Sequence, residues 1–170
     1  MGHRYLNSVR MVYFASILGV SCSPGSSKER VVLDTWLMCH ECSVGELDSV
    51  QAVAGRNPAV IDTLRVGLLH GPSLSRQDQL MHQLVVSYQK LARYAARESR
   101  VLPFDEAEYV RQYRDKFLLL YRSRAAQALG RVGGLRAREA LDSALQLPPD
   151  SMPERLRSRI RFLRDSVLGP

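Results

Sequence analysis

Cys39 and Cys42, separated by His40 and Glu41, are the residues of this chain whose types and spacing most directly offer chemistry. Cysteines three positions apart lie on one helical turn, close enough for the Cα separation of about 4.4 to 6.8 Å that a disulfide needs. The same pair can act in redox catalysis, because a cysteine at a helix N-terminus can have a lowered thiol pKa. It can also supply half of a zinc site, since structural zinc takes four ligands.

The surrounding sequence favours a disulfide between these two cysteines. A thioredoxin-like redox motif needs a βαβ pattern, and none follows the pair. His40, His70 and His82 provide no second pair with the spacing of zinc ligands, and Ser43 stands where haem attachment requires a histidine. We therefore expect a small disulfide if the chain is exported, because an oxidising compartment seldom leaves thiols unpaired. No metal or other cofactor is expected.

Arginines on the last predicted helix form the second candidate site. Four of them are candidates for contact with an anion or with a partner: Arg155, Arg157, Arg161 and Arg164. Guanidinium groups bind phosphate and carboxylate groups through charge and paired hydrogen bonds, so such a helix can dock on anionic lipid or on an acidic partner. Acidic residues among the arginines reduce the local positive charge. Because an exported chain seldom meets nucleic acid, nucleic acid is not an expected partner.

The composition fits one globular domain. The chain has 170 residues, of which 45% are hydrophobic and 24% charged, and its net charge is +7. These values exclude a wholly disordered, a collagen-like or a multi-span membrane protein. The sequence contains no glycine-rich phosphate loop, serine elbow or paired-histidine metal motif. We therefore predict no enzymatic activity.

The first 22 residues are predicted to be a targeting segment. His3, Arg4 and Arg10 make its start basic, residues 11–20 are apolar except for Ser16, and small residues follow. A basic stretch, a short apolar stretch and a run of small residues are the layout of a secretory signal. About ten apolar residues are too few to span a bilayer comfortably. We therefore expect export to the periplasm or cell envelope.

Cys22 stands at the end of this segment, and the residues before it resemble the lipobox of bacterial lipoproteins. In that family the cysteine is acylated after cleavage, which would anchor the mature chain to a membrane. The family prefers a leucine-like residue three places before the cysteine, where this chain has Gly19, with Leu18 one position earlier. The resemblance makes Cys22 a lipidation candidate, with ordinary cleavage and an uncleaved anchor as the alternatives.

From residue 31 onward apolar residues recur at helical spacing, and no alternating strand pattern is found. Capping boxes and Asn-Pro, Gly-Pro and Gly-Gly pairs divide this pattern into about seven helices. They are predicted around residues 32–37, at 44–55, at 58–70, from Ser75 until Pro103 interrupts, from Asp105 to Gly133, at 135–146, and from Ser151 onward. Such helices must stack to hide their apolar faces. Residues 23–30 are therefore predicted to be a linker and residues 31–170 one all-α domain.

Two segments of the chain are similar to each other. Gln51 and Gln127 each precede a helix end that closes with Gly-Arg, and a leucine-bearing helix follows both. Residues 124–145 resemble the bacterial HEAT-like repeats, and residues 43–69 resemble them without the glycine-rich turn. The resemblance implies a short α-solenoid that displays a surface for partners and has no catalytic residues. The alternative is an irregular helical bundle with one such hairpin.

These observations give three functional hypotheses. The first is a non-enzymatic helical scaffold that binds a protein partner, whose identity the sequence does not give, at the bacterial cell envelope. The second is a basic helical domain that docks on anionic lipid or polymer through its arginine-rich last helix. The third makes Cys39 and Cys42 a redox or metal centre. Salt distinguishes the first two, because binding to an anionic surface weakens as ionic strength rises.

Overall fold

A computed structural model describes residues 27–38 and 43–167, and every regular element in these ranges is helical. The seven α-helices are α1 (Ser27–Met38), α2 (Val44–Arg56), α3 (Ala59–His70), α4 (Leu74–Arg97), α5 (Glu106–Val132), α6 (Gly134–Leu145) and α7 (Glu154–Ser166). A short 3₁₀ helix, Pro149–Ser151, stands between α6 and α7. The predicted all-α class with about seven helices is thus confirmed for the described residues.

Two helix starts follow the predicted capping residues. At α2 the carboxylate of Glu46 accepts hydrogen bonds from the backbone N–H of Ser43 at 2.6 Å and from its hydroxyl at 3.1 Å. At α5 the carboxylate of Asp105 accepts the backbone N–H of Glu108 at 2.8 Å. Each cap satisfies a backbone or side-chain group that the first helical turn would otherwise leave without a partner.

Two other predicted starts were wrong. Helix α4 begins at Leu74, with Ser73 at its N-cap, and not at a cap formed by Ser75. Helix α7 begins at Glu154 behind Pro153, and the hydroxyl of Ser151 instead donates to the carbonyl of Pro148 at 2.6 Å inside the 3₁₀ turn. Local hydrogen bonding of serine to a nearby carbonyl competes with capping.

Two helices end at a glycine, as the sequence predicted, whereas α4 ends without one. Gly71 and Gly133 end α3 and α5 with φ of 76° and 71°, a backbone region that glycine enters without steric cost. The prediction that Pro103 interrupts α4 was wrong, because α4 already ends at Arg97. Ser99 has φ 52°, and its neighbour Arg100 donates its backbone N–H to the carbonyl of Ala95 at 2.8 Å. This is the Schellman arrangement, formed here without a glycine.

Helix α5 is the centre of the packing. It contacts α1, α2, α3, α4, α6 and α7, and the other contacts pair α2 with α3, α3 with α6, α1 with α2, and α6 with α7. The hairpin of α2 and α3 therefore stacks on the hairpin of α5 and α6, with α2 against α5 and α3 against α6. Its core includes side chains with no exposed surface: Leu64, Leu68, Leu129, Leu141 and Ile160. Of the four leucines that match between the two similar segments, Leu64, Leu68 and Leu141 lie in this core, and Leu145 is partly buried against it.

Helix α4 packs along the first half of α5. Its buried residues are Leu84 and Ala95, and neither belongs to the main core cluster. Tyr88, Phe104, Tyr109 and Tyr113 form a ring cluster at this end of the pair, with neighbouring ring centroids 4.4 to 6.5 Å apart. These aromatic rings therefore pack at the junction between the two helices.

Several sequence predictions fall outside the described residues. These are the targeting segment at 1–22, the lipidation candidate Cys22, and the disulfide candidates Cys39 and Cys42. Within residues 27–38 and 43–167, no helix has both the length and the apolar character needed to cross a membrane.

Candidate functional site

Arg157, one of the four predicted contact arginines, lies inside the protein. Its side chain is 7% exposed. One guanidinium nitrogen donates to the carbonyl of Leu145 at 2.9 Å, and another donates to the carbonyls of Leu147 at 3.1 Å and Pro148 at 2.9 Å. These carbonyls belong to the last residue of α6 and to the residues just after it, where a cation also complements the helix dipole. Arg157 therefore holds α7 against the end of α6 and is not available to an external anion.

Two further predicted arginines pair with acids of the same chain. Arg161 lies 2.7 Å from a carboxylate oxygen of Glu154. Arg164 lies 2.7 Å from Asp165 and 3.6 Å from Asp142. The hydrogen bonds from Arg161 lower the carboxyl pKa of Glu154, and the bond to Asp165 raises the pKa of Arg164. These pairs neutralise much of the positive charge that the sequence suggested for α7.

Arg155 is the predicted contact arginine that is both exposed and unpaired, since no described residue forms a hydrogen bond or ion pair with it. Arg159, four positions later on the same face, is in the same situation. Phe162 follows on this face and is 71% exposed. The free charge of α7 is thus limited to two arginines beside one exposed aromatic ring.

A larger feature was not predicted from the sequence: a groove of about 720 Å³ between α1, α3 and the start of α4. Leu33, Leu37 and Val60 line its inner side but are at most 5% exposed, so its accessible apolar surface lies at side chains such as Val66 and Leu74. We call this feature the α1–α3 groove. Val66 is 56% exposed and Leu74, at the other rim, is 77% exposed, so the groove opens to solvent along its outer side.

Tyr121 of α5 lies at the floor of the α1–α3 groove. The residue is 7% exposed, yet no described residue forms a hydrogen bond with its hydroxyl group. Gly67 makes room for the ring, since a Cβ atom at that position would lie 3.2 Å from a ring carbon of Tyr121. Burial raises the phenol pKa of Tyr121, with a smaller lowering by the charge of Arg76. The neutral hydroxyl can both donate and accept a hydrogen bond.

The charged groups that line the groove are mostly paired. Asp34 forms an ion pair with Arg76 across the gap between α1 and α4. Glu29 accepts a hydrogen bond from the side-chain amide of Asn57 at 2.9 Å, which ties the start of α1 to the turn between α2 and α3. Arg30 is exposed and has no hydrogen-bond or ion-pair partner among the described residues. The free charge at the groove is therefore positive.

Trp36 fixes the position of α1, and with it one wall of the groove. Its indole N–H donates to the backbone carbonyl of Arg124 at 2.9 Å, and the Arg124 guanidinium lies 4.7 Å from the centre of the indole ring. Such a cation–π contact stabilises a pair by about 0.5 to 2 kcal/mol. Because Trp36 itself is 3% exposed, these contacts lie under α1.

The residues of the groove come from positions 29 to 121, so no local motif marks it. Tyr121 belongs to the buried face of α5. Whether a buried tyrosine also reaches a solvent-filled gap depends on how far apart α1 and α3 stand, and helical spacing does not encode that distance.

In the described ranges, no three His, Cys, Asp or Glu side chains are grouped in a way that would hold a metal ion. Comparisons of the chain with family models, with curated proteins and with solved structures found no match.

Proposed function

We propose that this chain is a non-enzymatic helical module that binds another protein at the bacterial cell envelope. The observation that carries the proposal is the α1–α3 groove, which combines apolar walls with a buried tyrosine whose hydroxyl has no partner among the described residues. An open apolar concavity with a few polar groups is the usual form of a binding site. The stacking of the α2–α3 hairpin on the α5–α6 hairpin supports a scaffold role, because stacked hairpins present extended surfaces to partners.

Site-specific photocrosslinking in the host of origin tests the binding role. A photoreactive amino acid replaces Val66 at the groove rim, and in a matched control it replaces Leu135, which is 72% exposed on α6 and does not line the groove. We expect discrete protein adducts from position 66 that are absent from position 135. The same adducts from both positions, or none from either, would contradict the proposed role of the groove.

Analysis of the mature protein from its host tests the envelope location. We expect an N-terminus after residue 21 or nearby, an acyl group on Cys22 if the lipobox resemblance holds, and a mass two hydrogens lower for the oxidised Cys39 and Cys42. An intact Met1 in the soluble cytosolic fraction would contradict export and would remove the reason to expect a disulfide. Bound zinc in the native mass spectrum would instead support a metal centre at the two cysteines.

A second candidate function is docking on an anionic membrane through α7. The exposed face formed by Arg155, Arg159 and Phe162 favours it, because aromatic and basic residues together suit the membrane interface. Co-sedimentation with phosphatidylglycerol vesicles tests it, using a double variant with Arg155→Glu and Arg159→Glu. Binding that falls steeply with salt and is lost in the variant would support membrane docking, and binding unaffected by both would exclude it.

A further inference from the structure

The balance of charges at the α1–α3 groove indicates what a partner must bring. Both carboxylates that line the groove are engaged, Glu29 with Asn57 and Asp34 with Arg76. Arg30 is the lining cation that no described residue pairs. A cationic ligand would be repelled by the unpaired charge of Arg30, whereas a carboxylate could accept hydrogen bonds from its guanidinium group.

An occupant of the groove must also form a hydrogen bond at the floor. The hydroxyl group of Tyr121 lies on a residue that is 7% exposed and lines the groove, so an occupant of the groove can shield it from water. An occupant that excludes this water without replacing its hydrogen bond would leave a buried polar group unsatisfied, which costs about 1 to 3 kcal/mol. The occupant therefore combines apolar surface for the walls with a polar group that reaches the floor.

The exposed rim of the groove favours a protein segment over a small amphiphile as its occupant. Val66 and Leu74 stand at the edges of the groove and are 56% and 77% exposed. A small ligand is usually enclosed on most of its surface by its pocket. An occupant that covers these two side chains as well must extend beyond the groove, as a helix or an extended segment of a protein does.

We propose that the α1–α3 groove binds an apolar segment of a partner protein that carries an Asp or Glu beside its apolar side chains. The carboxylate pairs with Arg30, the apolar side chains contact Val66 and Leu74 at the rim, and a polar group of the segment bonds to the Tyr121 hydroxyl. This inference rests on the proposed protein-binding function and names the chemistry of the partner.

Selection from a library of random peptides on the full chain tests the charge requirement. We expect the selected peptides to carry an Asp or Glu next to two or more large apolar residues. Selection on an Arg30→Glu variant should change that residue to Lys or Arg, because the variant reverses the free charge at the rim. An Arg136→Glu variant is the matched control, since Arg136 is also exposed and has no hydrogen-bond or ion-pair partner among the described residues but lies on α6, outside the groove lining. It should select the same acidic peptides as the unmodified protein.

Affinity measurements with one selected peptide test the floor and the rim. Tyr121→Phe removes only the hydroxyl group and should weaken binding about three- to tenfold. Val66→Arg places a charge at the exposed rim and should abolish binding, and circular dichroism shows whether each variant keeps its helices. Peptides without acidic residues, or an equal effect of Arg30→Glu and Arg136→Glu, would overturn the inference.

A fatty acid would also supply a carboxylate on an apolar chain, and oleate serves as the probe for this alternative. If oleate binds with the same dependence on Arg30 and Tyr121 and no peptide is enriched, the groove is a lipid site and the inference is wrong. Photocrosslinking at position 66 separates the two proposals. Protein adducts without a preference for acidic peptides would leave the binding function in place and refute only the partner chemistry.

Discussion

Replacing Arg157 with alanine should destabilise the fold strongly, because this residue joins α7 to the end of α6. The change removes three hydrogen bonds of 2.9 to 3.1 Å to the carbonyls of Leu145, Leu147 and Pro148. A hydrogen bond to a charged group contributes about 1.5 to 3 kcal/mol, and bonds that share one guanidinium do not add fully. We expect a loss of about 3 kcal/mol in the free energy of unfolding. For a chain of this length that lowers the thermal midpoint by about 6 to 12 °C.

Urea titration followed by far-UV circular dichroism measures this effect on the full chain. Arg155→Ala is the matched control, since it removes an exposed arginine of the same helix and should change the stability by no more than about 0.5 kcal/mol. Arg157→Lys should recover part of the loss, because an ammonium group keeps the charge but not the planar fork. The difference should persist at about 1 M salt, where exposed ion pairs are screened, since the acceptors are neutral carbonyls. Equal stability of Arg157→Ala and Arg155→Ala would refute the structural role assigned to Arg157.

Two further predictions concern the repeated glycines and the pH dependence of stability. Gly55 and Gly130 occupy matching positions in the two similar segments. A Cβ atom at Gly130 would lie 2.8 Å from the Cδ2 atom of Leu163, whereas a Cβ atom at Gly55 would have no neighbour within 4 Å. Gly55→Ala should therefore stabilise the protein by about 0.5 to 1 kcal/mol, and Gly130→Ala should destabilise it through overpacking, by about 1 kcal/mol net. Thermal unfolding measures both, and changes of the same sign would contradict the close approach of α5 and α7. The hydrogen bond from Arg161 lowers the carboxyl pKa of Glu154 in the folded state. The ionised carboxylate therefore stabilises the fold fully above the unfolded pKa of about 4.3, and this stabilisation is lost as pH falls through the folded pKa. Between neutral pH and about pH 3, the urea midpoint of Glu154→Gln should fall less steeply than that of Glu139→Gln. Glu139 is the control because its side chain has no ion-pair partner among the described residues. Equal slopes would be evidence against this linkage.

The sequence predicted helix starts where the capping residue acts locally. Ser43 with Glu46 and Asp105 with Glu108 form their bonds within one turn, so three or four residues contain all the necessary information. The same pattern at Ser151 and Glu154 misled the prediction. Met152, between them, is 4% exposed and extended, so its packing into the core decides the backbone there.

The end of α4 shows a second limit of local signals. Ser99 adopts a positive φ that usually marks glycine, and the bond from Arg100 to the carbonyl of Ala95 stabilises the turn. A serine offers no sequence signal for such a turn, whereas the proline four residues later offered a misleading one. Similarly, arginine spacing on α7 could not show that Arg157 turns inward, because its acceptors are the last residue of α6 and two residues that follow it.

The central place of α5 has a consequence for the order in which the chain is made. Helices α1 to α3 leave the ribosome before the helix on which all three pack. At a synthesis rate of roughly 5 to 20 residues per second, the 64 residues from Leu68 to Val132 take about 3 to 13 seconds. During that interval the nascent leucines of α3 have no α5 or α6 to cover them, so this is the stage of biosynthesis at which a chaperone would have the most exposed apolar surface to hold.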